Sequence, residues 1–221
     1  MKAISFLFFI SIIVLVSLKE QEKPKNGVRG IDVSQYQGEI DWGTVASSDV
    51  NYAIIRATVR SGELDPNFEA NYGGATGVGL PVAVYHLSYA KDNDFAAWEA
   101  DTLIDKLGGK GVAIYLDLEW EEQCGLGKDA VTDIAVTLIQ HCQARGYEAN
   151  VYSNMNWYNN CYYPDRLRDM GCKFWIANYG PNTGEYDEQY KPNVGEYMWQ
   201  YTSVGRVNGI GGNVDLDMGY Y

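Results

Sequence analysis

Residues 113–120, Ala-Ile-Tyr-Leu-Asp-Leu-Glu-Trp, set two carboxylates, Asp117 and Glu119, at the end of an apolar run. In an extended strand, side chains at i and i+2 project to the same side, with Cα atoms roughly 6.5 Å apart. Carboxylates held that close repel, so one keeps its proton near neutral pH while the other ionises. Glycosidic bond cleavage needs such a pair: one group protonates the leaving oxygen, the other stabilises positive charge on the sugar. Two further acids lie in comparable places. Asp32 closes an apolar run in Arg29-Gly-Ile-Asp-Val-Ser-Gln-Tyr-Gln-Gly38, and Asp215 lies in the last one, Asn213-Val-Asp-Leu-Asp217. Each alone also fits an acid capping a turn. Four acids near strand ends of one sheet fit a catalytic cluster better. Two more polar residues interrupt apolar runs. Arg56 is expected to pair with an acid inside the fold, and His86 to be a hydrogen-bonded core residue.

Positioning these acids requires a sheet. Short apolar runs occur at 30–33, 52–57, 81–87, 112–118, 149–152, 174–177, 197–201 and 214–218, and they predict eight strands. Several are apolar on both faces, as in parallel sheets covered by helices. Residues 94–107 have helical spacing, with Phe95, Trp98, Leu103 and Leu107 on one face and Gly108-Gly109 as the stop. Residues 129–144 do the same with Ile134, Leu138 and His141 or Cys142, stopped by Arg145-Gly146. The later links are short and Gly-rich. The expected fold is therefore α/β: an irregular, TIM-like (β/α) barrel of eight strands with fewer than eight full helices. First and last strands adjoin in a closed barrel, which brings Asp32 and Asp215 to one mouth.

The start of the chain predicts export. Lys2 precedes an apolar stretch at 4–18 that is roughly 22 Å long as a helix, short of the roughly 30 Å of a bilayer core. Residues 1–18 are assigned to a secretory signal peptide, 19–27 to a polar linker and 28–221 to a single catalytic barrel. The expected location is secreted or lumenal, a lysosomal or phagosomal compartment included. An exported chain with four cysteines favours two disulfides. Cys124 and Cys161 each follow a strand, so both belong on the face where strands end. Cys142 ends a returning helix and Cys172 precedes a strand, so both belong on the opposite face. The expected pairs are Cys124–Cys161 and Cys142–Cys172, with free buried thiols as the alternative.

Composition removes other classes. The 221 residues carry 29 acidic and 17 basic side chains, a net charge of −12, which disfavours nucleic acid and anionic membrane surfaces. Two histidines are too few for a multi-histidine metal site. There is no phosphate loop, His-Glu-x-x-His motif, nucleophile elbow or N-glycosylation sequon. No cofactor or metal is expected. The chain holds 18 Tyr and 6 Trp against 6 Phe, three of these within the first nine residues. Flat rings with polar tips suit a wet sugar-stacking groove and equally suit half-buried strands.

Several motifs in order resemble glycoside hydrolase family 25, the Chalaropsis-type lysozymes (N-acetylmuramidases). They are Gly30-Ile-Asp-Val-Ser-Gln-Tyr-Gln-Gly38 with Ile40-Asp-Trp42, Ile55-Arg-Ala-Thr58, Val84-Tyr-His86, Leu116-Asp-Leu-Glu119, Val151-Tyr-Ser153, Trp175-Ile-Ala-Asn-Tyr179, Trp199-Gln-Tyr-Thr-Ser203 and Val214-Asp-Leu216. The resemblance implies hydrolysis of the β-1,4 bond between N-acetylmuramic acid and N-acetylglucosamine in peptidoglycan, by a monomer. Glu119 matches the general acid. Asp117 matches the carboxylate that stabilises the reacting centre or orients the N-acetyl group, and Asp32 and Asp215 match the remaining acids. Tyr85, Tyr152, Trp175, Tyr179 and Gln200 match positions lining the groove. Leu87 departs from the pattern, where an aromatic often follows Tyr-His. Two alternatives share the scaffold. A chitinase usually carries a further Asp where Tyr115 stands, and a non-catalytic sugar-binding protein typically lacks the acid.

Overall fold

A computed structural model of the protein describes residues 27–220. The expected signal at 1–18 and the linker up to residue 26 lie outside the described residues. Eight strands close into one barrel in chain order: β1 (Val28–Val33), β2 (Ala53–Thr58), β3 (Val82–Leu87), β4 (Ile114–Asp117), β5 (Ala149–Asn154), β6 (Phe174–Ala177), β7 (Met198–Gly205) and β8 (Val214–Gly219). Each coincides with an apolar run of the sequence. Seven α-helices lie between them: α1 (Trp42–Ala46), α2 (Phe68–Gly77), α3 (Asn93–Leu107), α4 (Glu121–Cys124), α5 (Lys128–Ala144), α6 (Met155–Asn160) and α7 (Pro164–Arg168). Only α3 and α5 exceed ten residues. Asp92 starts α3 by accepting a hydrogen bond from the Phe95 amide at 2.8 Å, and Gly108, at φ 60°, ends it in the left-handed region.

Strand alternation sorts the core into two layers. Ile54, Tyr115, Tyr152, Trp175 and Met198 fill the barrel interior. Their neighbours Ala53, Ile55, Ile114, Leu116, Val151, Phe174, Ile176 and Trp199 face outward into the layer beneath the helices. The strands β2 and β4 to β7 thus carry apolar residues on both faces, as a covered sheet requires.

One strand departs from the expected parallel pattern. β8 runs antiparallel to both β7 and β1. Only residues 206–213 separate β7 from β8, and a parallel return needs a crossover of about a dozen residues or more. The chain can only turn back on itself. The reversal places the start of β8, and so Asp215, on the rim where the other strands end. The long segment from Asn178 to Tyr197 carries Gly180, Pro181, Gly184 and Gly195 and forms no α-helix. It covers the outside of β7 instead, with the Tyr186 ring 5.3 Å from Trp199 and 5.5 Å from Tyr201.

Two local expectations need correction or refinement. Phe95 and Trp98 are not core residues; they are 40% and 44% exposed and pack on each other at 5.0 Å. The buried face of α3 is Ala96, Glu99, Ala100, Leu103, Ile104 and Leu107. Glu99 enters because its carboxylate accepts from the Ser88 hydroxyl at 2.7 Å and the Tyr89 amide at 2.8 Å, which satisfies a charge that would otherwise be costly to bury. On α5, Cys142 is buried and His141 turns aside to Asp101 of α3 at 3.2 Å. His86 is buried as expected, its Nδ1 2.7 Å from the Thr58 hydroxyl.

The cysteines divide. Cys124 and Cys161 are bonded, with Cα atoms 5.0 Å apart, and tie the loops after β4 and β5 together. Cys142 and Cys172 are free, so the expected second bridge is absent. Each thiol is turned into the apolar layer and packs there as a small hydrophobe. Burial pushes Cys142 up to about 12 and Cys172 up to about 11, which suppresses the thiolate that bond formation needs. The Cys124–Cys161 bridge closes a separation of 37 residues, so replacing both with Ser should lower unfolding stability by about 3–4 kcal/mol. Urea titration of the double variant measures this, and an unchanged midpoint would refute it.

Candidate active site

The rim where β1 to β7 end holds a cleft of about 300 Å³. Asp32, Asp117, Glu119 and Asp215 all line it, together with Tyr36, Arg56 and Tyr85. Asp32 and Asp215 are register partners across β1 and β8. Asp117 ends β4, and Glu119 stands two residues beyond it. The four acids singled out from the sequence therefore share one site.

Gln200 organises the inner half of this cluster. Its amide nitrogen donates to Asp32 at 2.7 Å and to Asp215 at 3.3 Å. Its amide oxygen accepts from the hydroxyls of Tyr152 at 2.7 Å and Tyr179 at 2.5 Å. The chemistry forces that orientation, because the carboxylates accept and the hydroxyls donate. Below it, the Trp175 indole donates to Asp217 at 2.8 Å. Asp217 is a fifth acid that the sequence reading did not count, although it follows Asp215 by two residues and must share its face of β8. A second Asp at i+2 in the last strand was the available signal.

So many acids in one low-dielectric space cannot all ionise. Burial first, then the charges of Asp215 and Asp217, hold Asp32 well above the usual carboxylate range. Burial also raises Asp217, against hydrogen bonds from Trp175 and Asp32 that pull it down. Burial and then the neighbouring Glu119 raise Asp117, with Arg56 opposing. Asp215 is pushed up to about 6 by burial and then by Glu119, which leaves it largely ionised at pH 7. Glu119 is half-buried and raised by burial. Desolvation alone is the cause at Glu119, and its own charge in turn raises Asp117 and Asp215.

The residues matched to the groove sort into wall and support. Tyr85 lines the cleft. Trp175 is 1% exposed and Gln200 2% exposed, with Tyr152 also buried. These three form the floor that holds the acids, and their faces are not open for stacking. Tyr179 is half-buried and reaches the acids through Gln200. Arg56 pairs with Asp65 at 2.9 Å, an acid from the loop after β2 and not from inside the barrel. Tyr36 was not singled out, yet it stands 76% exposed at the cleft edge. Ser34 and Gln37 hold it there through a capping box around a short 3-10 turn. Tyr115 points into the barrel interior, edge-on to Trp175 at 5.7 Å.

The family model described as "Glycosyl hydrolases family 25" matches residues 31–210. The chain belongs to glycosyl hydrolase family 25. It is 30% identical over 203 residues to lysozyme M1 of Streptomyces globisporus, covering 86% of this chain and 67% of that protein. It is 29% identical over 190 residues to an autolytic lysozyme of Clostridium acetobutylicum, covering 86% of this chain and 55% of that one. The chain thus spans about two thirds of the first relative's length and about half of the second's. The crystal structure of a bacterial lysozyme from Streptomyces coelicolor superposes with a TM-score of 0.72 at 27% identity, covering 90% of this chain and 94% of that one. The protein is accordingly a glycoside hydrolase on the family's irregular α/β barrel. Among the described residues, no helix is long and apolar enough to cross a membrane, and no group of three His, Cys, Asp or Glu is placed to hold a metal ion.

The raised acids have a consequence for stability. A carboxyl raised in the folded state binds its proton more tightly there than in the unfolded chain. Its stabilising contribution is complete below the unfolded value of roughly 3.9 and is lost as pH rises through the folded value. For Asp215 that window runs from about 4 to about 6. The thermal midpoint should therefore fall between pH 4 and pH 7, and Asp215→Asn should flatten part of the fall. Melting curves at several pH values test this; parallel pH slopes for both proteins would contradict it.

Proposed function

We propose that this glycoside hydrolase is a secreted lysozyme acting on bacterial peptidoglycan, with Glu119 as general acid and then base. The bond cleaved is the β-1,4 linkage between N-acetylmuramic acid and N-acetylglucosamine. The observation that carries this reading is Glu119 itself: half-buried, raised by burial, and set on a rim among three further acids. Burial favours the protonated form, which can supply the proton that the leaving glycosidic oxygen needs.

The surrounding acids divide the remaining work. Asp215, pushed up to about 6, is ionised at neutral pH, and its negative charge favours the positive oxocarbenium-like transition state. Asp117 has a buried oxygen, Oδ1, with no hydrogen-bond partner in the protein. That oxygen is suited to the N–H of a substrate acetamido group, consistent with a sugar bearing an N-acetyl substituent. Asp32, hydrogen-bonded to Gln200 and Asp217, positions the others. The lysozyme relatives from Streptomyces globisporus and Clostridium acetobutylicum support the same substrate class. The apolar stretch at 4–18 supports export.

Glu119→Gln should lower turnover on purified cell walls by about 10³-fold with little change in thermal midpoint. Mass spectrometry of wild-type digests should find new reducing ends on muramic acid. Reducing glucosamine ends would point to a different hydrolase, and an undiminished Glu119→Gln rate would remove Glu119 from the acid's role.

A further inference from the structure

Beside the catalytic cleft lies a second cavity of about 470 Å³ that shares Tyr36, Arg56 and Leu87 with it. Arg60 lines this cavity. It sits at the tip of a tight hairpin after β2, where the Val59 amide bonds Glu63, the Gly62 amide bonds Val59, and Thr58 bridges Leu64. The guanidinium carbon lies 4.8 Å from the Tyr89 ring centre and 5.0 Å from the Trp120 ring centre. Those two rings meet edge to face at 5.4 Å. Trp120 directly follows Glu119 in the chain, so this aromatic platform is covalently next to the acid.

The local charges single out Arg60. Glu63 is paired with Lys106 at 2.6 Å, Asp65 with Arg56 at 2.9 Å, and Glu122 with Lys91 at 2.6 Å. Lys91 also lies over Trp120, but its charge is already answered by Glu122. Among the described residues, no ion pair engages Arg60, and the side chain is exposed. In a chain of net charge −12, a cation with no salt-bridge partner beside the active site stands out; the carboxylate that feels its charge, Glu122, is already bonded to Lys91. The two rings hold the guanidinium without engaging its N–H donors in an ion pair, and a guanidinium fork can bind a carboxylate in bidentate fashion.

We infer that Arg60, held on Tyr89 and Trp120, is a specificity-determining residue that binds a carboxylate carried by the glycan strand. The inference rests on the lysozyme reading. Two sources supply such a group: the lactyl carboxylate of a muramic acid without its peptide, and the carboxylates of an attached peptide stem. Neutral glycans of the same length lack both. The contact lies away from the bond being broken, so it contributes to binding of ground and transition states alike and leaves the chemical step unchanged.

The experiment compares wild type, Arg60→Ala and Arg60→Lys on three solubilised glycan preparations. One keeps its peptides, one is stripped by an amidase to free lactyl groups, and one has all carboxylates converted to neutral amides. Arg60→Ala should raise KM about five- to tenfold on carboxylate-bearing chains, with kcat unchanged, and leave KM on neutralised chains unaltered. Arg60→Lys should recover part of the loss, since it retains charge but not the fork. It also serves if the alanine variant is unstable. An effect on amidase-stripped chains alone identifies the lactyl group, an effect on peptide-bearing chains alone identifies the stem, and an effect on both shows that Arg60 takes either carboxylate. Equal KM changes on acidic and neutralised chains, or none on either, overturn the inference while leaving the lysozyme reading intact. Failure of wild type to cleave any of the three would overturn both.

Discussion

Five carboxyl groups crowd the end of one barrel where little water reaches them, and their mutual repulsion, amplified by burial, governs what the protein can do. Left alone, such a cluster would drive the rim apart or draw in water. Two arrangements keep it together. The folded environment favours the protonated form of Asp32, Asp117 and Asp217, burial being the first cause for each. The Gln200 amide then joins the inner carboxylates to two tyrosine hydroxyls, satisfying donors and acceptors in one chain of bonds. The floor of buried Trp175 and Tyr152 fixes Gln200, so the interior packing below the site is also what orients its chemistry.

The barrel supplies this arrangement through a single irregularity. With all eight strands parallel, the start of β8 would lie at the opposite end from Glu119. The short link 206–213 prevents that and turns the last strand over. Asp215 and Asp217 then enter from the beginning of a strand, while Asp32 and Asp117 come from strand ends, and all meet at one rim. The same economy leaves β7 and β8 without a covering helix. The Asn178–Tyr197 segment serves as cover outside and contributes Tyr179 to the acids inside.

Charge is distributed unevenly around the cleft. Most cations near it are neutralised by neighbouring acids, whereas aromatic rings cradle Arg60. Rings can hold a guanidinium without cancelling its charge, and a protein that is acidic overall thereby presents a positive point beside the acids of its rim. The disulfide between the loops after β4 and β5 braces the rim on the side that carries Glu119.

Strand positions, the two long helices and the four rim acids were all legible in the chain, because period-two and helical apolar spacing and the i, i+2 placement of Asp117 and Glu119 are local properties. The Cys124–Cys161 bridge followed from the same reasoning about which face each loop occupies. Other features depend on what packs against what. Phe95 and Trp98 have the spacing of core residues, but Glu99 takes the inward position because Ser88 and Tyr89, in the loop that leads into α3, fold back to supply its hydrogen bonds. Trp175 and Gln200 could be matched to a groove, yet only the closed interior makes them floor. Cys142 and Cys172 reach the apolar layer as free thiols for the same reason. Local spacing decides which residues can share a face; protonation, burial and partnership arise only when distant strands enclose a common volume and exclude water from it.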